Sequence, residues 1–76
     1  MTCTEWQKIR DQLGFKKTGA KSDKLILENG WSVIADLREP QVIFNVHDQS
    51  GELIVEFNDP EYAVSRAEEG DKSSPS

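Results

Sequence analysis

The stretch NVHDQSGELIV, residues 45–55, holds the only histidine of the 76-residue chain together with two carboxylates. His47 is followed directly by Asp48, and Glu52 comes four residues after Asp48. An imidazole and two carboxylates can ligate a metal ion, and the same groups can move protons in acid–base catalysis. The pattern therefore raises two possibilities, a chemical site or the turn of a β-hairpin.

The local pattern favours the hairpin. Asp48 suits the first position of a turn, because its short side chain accepts hydrogen bonds from the backbone that follows, and Gly51 suits the last. The register derived below puts His47 opposite Glu52, as an exposed cross-strand pair on the face away from the core. Such a position supplies neither the exclusion of water nor the tuned pKa that catalysis requires. We therefore predict no catalytic residue, no metal site, no cofactor and no enzymatic activity.

Length and composition narrow the class of protein. We predict a single α+β domain over residues 1–70 and a disordered tail over residues 71–76, whose polar residues cannot bury apolar surface. No apolar run approaches the roughly 18 residues of a membrane span, and the start of the sequence does not resemble a signal peptide. Cys3 is the only cysteine, which excludes an internal disulfide and suits a cytoplasmic location.

Charge is distributed unevenly along the chain. Residues 1–27 contain six lysines and arginines against three carboxylates, which gives +3. Residues 28–76 contain three basic residues against eleven carboxylates, which gives −8. An asymmetry of this kind influences the choice of partners rather than the fold.

The periodicity predicts the element order α-β-β-β-β-α. The first helix lies in TEWQKIRDQLGF, with Thr4 as its N-cap, Gln7 completing a capping box, and Gly14 ending it. The second lies in NDPEYAVSRAEEG, with Asn58 or Asp59 as its cap, an apolar face containing Tyr62, Ala63 and Ala67, and Gly70 at its end. KKTGAKS, between the first helix and the first strand, is predicted to be a mobile basic loop. The four predicted strands are 23–28, 31–37, 41–47 and 52–57.

Alternation of apolar residues fixes the strand register, because opposite residues of an antiparallel pair share a face. The ENG connection should pair Leu27 with Trp31, in a three-residue loop with Gly30 in the left-handed conformation. The REPQ connection should pair Leu37 with Val42 and Ala35 with Phe44. The DQSG connection should pair Val46 with Leu53, Phe44 with Val55 and Val42 with Phe57. The result is a four-stranded antiparallel meander with the first helix packed on its apolar face.

The opposite face is not uniformly polar. The predicted register places Ile34 and Ile54 on either side of Asn45, and acidic and polar residues around this group form a border. A contiguous apolar cluster with a polar rim indicates that something covers it. The candidate partner-binding residues are Ile26, Ile34, Asp36, Ile43, Asn45, His47, Glu52, Ile54 and Glu56.

Three covers are possible for this cluster. The second helix could fold onto it, two copies of the chain could pack face to face although their acidic borders would repel, or a different protein with a basic surface could dock. The favoured hypothesis is a non-enzymatic interaction module, of the kind that phage-encoded inhibitors and DNA mimics represent. Such a module would dock on a basic, nucleic-acid-binding surface of a larger machine such as a polymerase, nuclease or CRISPR complex.

Two alternatives stay open. One is a homo-oligomeric or accessory structural subunit that hides the isoleucines within an assembly. By itself, the chain is expected to be a monomer or a weak homodimer. The other is nucleic-acid binding through the basic segment 15–24, with Trp6 or Phe15 stacking on bases. The net charge of −5 opposes phosphate binding and makes this alternative the less favoured one.

Overall fold

The computed structural model describes residues 1–70, so the predicted disordered tail lies outside the described residues. As predicted, the chain is an α+β protein with an N-terminal helix, an antiparallel sheet and a C-terminal helix. The five strands pair in chain order, each antiparallel to the next. The prediction of four strands is therefore wrong by one. The elements are α1 (Cys3–Leu13), β1 (Lys16–Gly19), β2 (Ser22–Ile26), β3 (Ser32–Arg38), β4 (Gln41–His47), β5 (Leu53–Phe57) and α2 (Pro60–Glu69).

The additional strand, β1, is formed by the segment that we predicted to be a mobile loop. It pairs with β2 through a tight turn, with Gly19 opposite Ser22. A Cβ atom on Gly19 would lie 2.8 Å from the Ser22 hydroxyl, so a larger residue here would require the Ser22 side chain to move. Apart from Thr18, the strand has no residue with a strong preference for β-structure, which is why its sequence gave no signal. Phe15 anchors it instead, because its ring is buried and lies 4.8 Å from that of Trp6 in an edge-on contact.

The first helix begins two residues earlier than predicted. Its N-cap is Thr2, whose hydroxyl accepts a hydrogen bond from the Glu5 amide at 3.2 Å, so the predicted cap at Thr4 is wrong. Both threonines begin a capping-box pattern, and contact with the sheet selects the earlier one. Thr2 forms a β-bridge with Gln41, so the chain is still extended there and turns into the helix immediately afterwards. The end of the helix is as predicted, with Gly14 at φ 87°.

Both helices belong to one apolar core on the same face of the sheet. α2 lies against β3, β4 and β5, and α1 contacts β4. Ala63 and Ala67 of α2 are fully buried, whereas Tyr62, which we placed on the apolar face, is 69% exposed and stacks on Phe57. The second helix therefore does not cover the isoleucine cluster, and the first of the three possible covers is excluded. The buried apolar residues are Trp6, Phe15, Trp31, Val33, Ala35, Val42, Phe44, Val46, Ala63 and Ala67.

Two polar contacts hold α2 at this position. Asp59 is its N-cap, one of the two predicted caps, and accepts a hydrogen bond from the Glu61 amide at 2.9 Å. Near its other end, the side chain of Asn29 donates to the carbonyl of Ala67 at 2.9 Å. The ENG turn thus fastens the end of α2 to the sheet, which compensates for the small apolar side chains of this helix.

The core also contains a carboxylate that the sequence analysis did not identify. Asp23 is 2% exposed and accepts a hydrogen bond from the indole nitrogen of Trp6 at 2.7 Å. The guanidinium of Arg10 lies 3.7 Å from its second oxygen. Asp23 is in phase with Leu25, so alternation places it on the core face. The buried Trp6 N–H needs an acceptor there, and Asp23 provides it.

Candidate functional site on the outer face of the sheet

We call the face of the sheet opposite the two helices the outer face. Its side chains form three rows that run across the strands from β1 or β2 towards β5. The first row consists of Ile26, Ser32, His47 and Leu53. The second consists of Lys16, Lys24, Ile34, Asn45 and Glu56. The third consists of Gly19, Ser22, Asp36 and Ile43.

The predicted turn role of Asp48 is confirmed. One of its carboxylate oxygens accepts hydrogen bonds from the amide and hydroxyl of Ser50, at 2.9 and 2.6 Å, and from the amide of Glu52, at 3.0 Å. These donors, the Ser50 hydroxyl first, lower the pKa of the Asp48 carboxyl below its usual value of 3.8. The carboxylate is thus committed to the turn, which leaves it poorly suited to ligate a metal ion.

The pairing between β4 and β5 differs from our prediction. Val46 lies opposite Val55 and Phe44 opposite Phe57, and His47 lies opposite Leu53 rather than Glu52. All three predicted pairs across DQSG are therefore wrong. The register shifts between Val46 and His47, and Ile54 is the extra residue of the bulge. The bulge returns the later residues of β5 to the core face and leaves Leu53 on the outer side.

The turn between β4 and β5 could have been predicted by comparison with the turn between β2 and β3, because the two sequences share a pattern. LENGW and DQSGE each place a glycine fourth in five residues, and Gly30 and Gly51 have nearly equal φ angles, 91° and 89°. In the first hairpin the predicted loop is confirmed, with the Leu27 amide donating to the Trp31 carbonyl at 2.8 Å. In the second, the same loop pairs Asp48 with Glu52. The alternation of apolar residues predicted a different loop here. It takes no account of a β-bulge, which shifts the later residues of the strand back onto the core face.

The isoleucine cluster is rearranged by this register. Ile34 lies beside Asn45 as predicted, but the neighbour of Asn45 on β5 is Glu56, not Ile54. Ile34 and Ile43 are half-buried by surrounding side chains, whereas Ile54 is 39% exposed. The most exposed apolar residues of the outer face are Ile26, at 68%, and Leu53, at 49%, which occupy the two ends of the first row. Leu53 was missed because we had assigned it to the core.

Two polar atoms at the centre of the outer face are buried without a hydrogen-bond partner among residues 1–70. They are Oδ1 of Asn45 and Nδ1 of His47. The two residues are two positions apart on β4 and therefore lie on the same side of the sheet. A buried polar atom without a partner costs free energy. A molecule that covers the outer face would recover it only if the two side chains turn these atoms, which are buried within the chain, towards it.

The charged border of the outer face is acidic on one side only. Glu56 is exposed on β5, whereas Glu52 pairs with Asp48 in the turn before β5, out of phase with the outer-face pair of His47 and Leu53. On the other side, the additional strand brings Lys16 next to Lys24. Asp36 lies in the third row, where Arg38 pairs with it at 2.9 Å. The prediction of an acidic border around the whole cluster is therefore wrong, because a loop was expected where β1 adds a lysine to the face.

A metal site, a membrane-spanning helix and a base-stacking surface each require particular structural features. Residues 1–70 contain no group of three or more histidine, cysteine or carboxylate side chains arranged to hold a metal ion. No helix in this range is long and apolar enough to cross a membrane. Trp6 and Phe15, the predicted base-stacking residues, are 0% and 3% exposed, so that detail of the nucleic-acid alternative is wrong.

Comparisons with protein-family models, with curated proteins and with solved structures found no match to this chain. A functional proposal must therefore be based on the outer face itself.

Proposed function

We propose that this protein is a non-enzymatic interaction module that docks through its outer face on a basic surface of another protein. The observation that carries the proposal is the position of the two helices. Because both pack on one face, no described element covers the isoleucines and Leu53 on the other. An apolar patch beside exposed carboxylates is typical of a surface that binds a protein.

The charges of the outer face give the docking an orientation. Glu56 lies on the outer face of β5 and Glu52 is exposed in the turn that precedes this strand, so both favour lysine or arginine side chains of a partner at this side. Lys16 and Lys24 lie at the β1 side and disfavour a partner that is basic over its whole contact area. The partner's basic residues therefore contact the β4–β5 half of the face, and its apolar residues contact Ile34 and Ile43. Charge complementarity of this kind mainly increases the rate and specificity of association.

The class of partner follows from the same chemistry. Protein surfaces that combine basic and apolar groups are common where nucleic acid binds. We therefore propose a small regulator or inhibitor, of the kind phages encode, that occupies such a surface on a larger machine. A polymerase, a nuclease or a CRISPR complex would provide it.

Affinity capture from host cells, at low and at high salt, tests the proposal. The wild-type chain should retain a protein at low salt, and high salt or added double-stranded DNA should release it. The double reversal Glu52→Lys with Glu56→Lys should abolish this retention. Glu69→Lys, which changes another exposed carboxylate, on α2, is the matched control and should bind as the wild type does. Retention that survives both the reversal and high salt would contradict the proposal.

Apolar contacts are tested separately. Ile34→Asp and Ile54→Asp should each abolish capture and leave the circular dichroism spectrum unchanged. Tyr62→Asp is the control, because Tyr62 is exposed and belongs to α2. Equal capture by all three variants would exclude the outer face as the docking surface. A salt-sensitive shift of labelled DNA or RNA by the purified chain would support the nucleic-acid alternative instead.

A further inference from the structure

The second row of the outer face crosses all five strands and changes sign from one end to the other. It begins with Lys16 on β1 and Lys24 on β2, passes through Ile34 and Asn45, and ends with Glu56 on β5. Two cations, two uncharged residues and one anion thus follow one another at strand spacings of about 4.8 Å. A pattern of opposite signs at opposite ends can be complementary to a second copy of itself.

We infer that the outer face is self-complementary and that two copies of the chain pack against each other through it. The two-fold axis lies between the sheets, parallel to β3. Rotation about this axis places β1 of each copy over β5 of the other, β2 over β4, and β3 over β3. Lys16 then faces Glu56 of the second copy, and the symmetry repeats this contact. An axis perpendicular to the strands would instead place lysines over lysines, so the charges select the first arrangement.

The same rotation provides for one of the unpartnered polar atoms. With β2 over β4, Lys24 of one copy faces Asn45 of the other, whose Oδ1 is buried without a partner in the described chain. The lysine ammonium carries three N–H donors, so it can supply the missing hydrogen bond when the Asn45 side chain turns its Oδ1, buried in the free chain, towards the second copy. At the centre, Ile34 packs on Ile34. Asp36 on β3 is the carboxylate whose charge disfavours the association of the two copies most. The guanidinium of Arg38, 2.9 Å away, offsets this charge.

The size of the face determines how strong the dimer is. Five strands span about 20 Å, and strands of five to seven residues are about 20 Å long, so each copy covers roughly 400 Å². The buried total of about 800 Å² is below the roughly 1,200–2,000 Å² of stable specific interfaces and is in the range of weak, transient ones. The dimer is therefore weak and dependent on concentration. Sheets that pack face to face in this way keep their strands roughly aligned, as in β-sandwiches.

The dimer uses the surface assigned under the proposed function but does not depend on that assignment. The second copy presents Lys16 and Lys24 to the acidic side, so it supplies the basic groups required of a foreign partner. Self-association and docking on another protein therefore compete for the outer face.

Sedimentation equilibrium of the full chain at low salt, from about 1 µM to about 1 mM, tests the dimer. The wild type should change from monomer to dimer over this range, and added salt should weaken the association. Lys16→Glu and Glu56→Lys should each raise the dissociation constant at least tenfold. The double variant with both substitutions should return it to within about threefold of the wild type, because the swap restores both symmetric contacts.

Matched controls make the same charge changes on the helices. Lys8→Glu on α1 and Glu69→Lys on α2 are both exposed and should leave the dissociation constant within about twofold of the wild type. Circular dichroism verifies folding, and Lys16→Gln and Glu56→Gln replace any reversal that unfolds the chain. A monomer at every concentration, a dimer insensitive to Lys16→Glu, or a double variant that remains weak would each overturn the arrangement.

Lys16→Glu also separates the dimer from the proposed function. The substitution removes a cation that the dimer requires, whereas a basic foreign partner gains from its removal. Capture of such a partner that persists or increases in Lys16→Glu, together with a monomeric wild type, would leave the proposed function standing and refute the dimer. A dimer with the rescue pattern but no salt-sensitive capture would do the reverse.

Discussion

The two faces of one sheet differ in how completely the chain covers them. On the inner face, Phe44 and Val46 are fully buried beneath two helices. On the outer face, Asn45 lies between them in sequence and His47 follows Val46, and both are half-buried with an unpartnered polar atom. The contrast leads us to expect that the inner face contributes most of the stability of the fold, and the proposal that the outer face binds a partner depends on this expectation.

The largest effect should come from truncation on the inner face. Phe44→Ala removes a ring that is fully buried and packs edge-on against Trp6 at 5.0 Å. It should lower the free energy of unfolding by about 3–5 kcal/mol, and Trp31→Ala, at 3% exposure, should cost a similar amount. Urea denaturation measures both. Ile43→Ala, next to Phe44 but on the outer face, should cost about 1 kcal/mol or less, and equal losses would remove the distinction between the faces.

A smaller difference in stability is expected between substitutions of the two aspartates in the strands, Asp23 and Asp36. Asp23→Ala leaves the buried indole N–H of Trp6 without its acceptor and should cost about 1–3 kcal/mol. Asp36→Ala removes only an ion pair with Arg38, whose side chain is 65% exposed, and should cost between about 0 and 1 kcal/mol. Chemical denaturation of both variants at neutral pH tests the order. If Asp36→Ala lowered the free energy of unfolding more than Asp23→Ala, the outer face would contribute to stability as the core does.

The smallest effect concerns the turn that follows β4. Because its hydrogen bonds are accepted by the ionised form, the Asp48 carboxyl should titrate below 3.8 in carbon-detected NMR. The folded state therefore gains stability from this group above pH 3.8, and loses it as the pH falls through the lowered pKa. Ser50→Ala removes the largest cause and should raise the pKa of Asp48 towards 3.8. An unchanged pKa in that variant would show that the Ser50 hydroxyl does not act on the carboxylate.

Much of the fold could be predicted because apolar residues alternate regularly in β2, β3 and β4. That alternation correctly paired Leu37 with Val42 and Ala35 with Phe44. It failed where contacts between distant parts of the chain determine the secondary structure or the register. β1 is anchored by Phe15, which lies outside the strand, so no strand-forming pattern announces it. The bulge at Ile54 is hidden because it restores the alternation that its turn would otherwise have inverted.

The candidate site was predicted in part for the same reasons. Ile34, Asn45 and Ile43 lie together on the outer face as the alternation indicated. Lys16 and Leu53 were missed, because each depends on one of the two hidden features. The charge pattern of the face, and with it the possibility of self-complementary packing, becomes visible only once β1 is in place.

The most direct test of the distinction between the faces is urea unfolding of two neighbouring substitutions, Val33→Asp and Ile34→Asp. Val33 is fully buried on the inner face, and Ile34 is its half-buried neighbour on the outer face. Val33→Asp should abolish the cooperative transition, because a carboxylate cannot be buried there without a partner. Ile34→Asp should retain the transition and lose at most about 2 kcal/mol. If Ile34→Asp also unfolds the chain, the outer face is part of the core and is not a surface for binding.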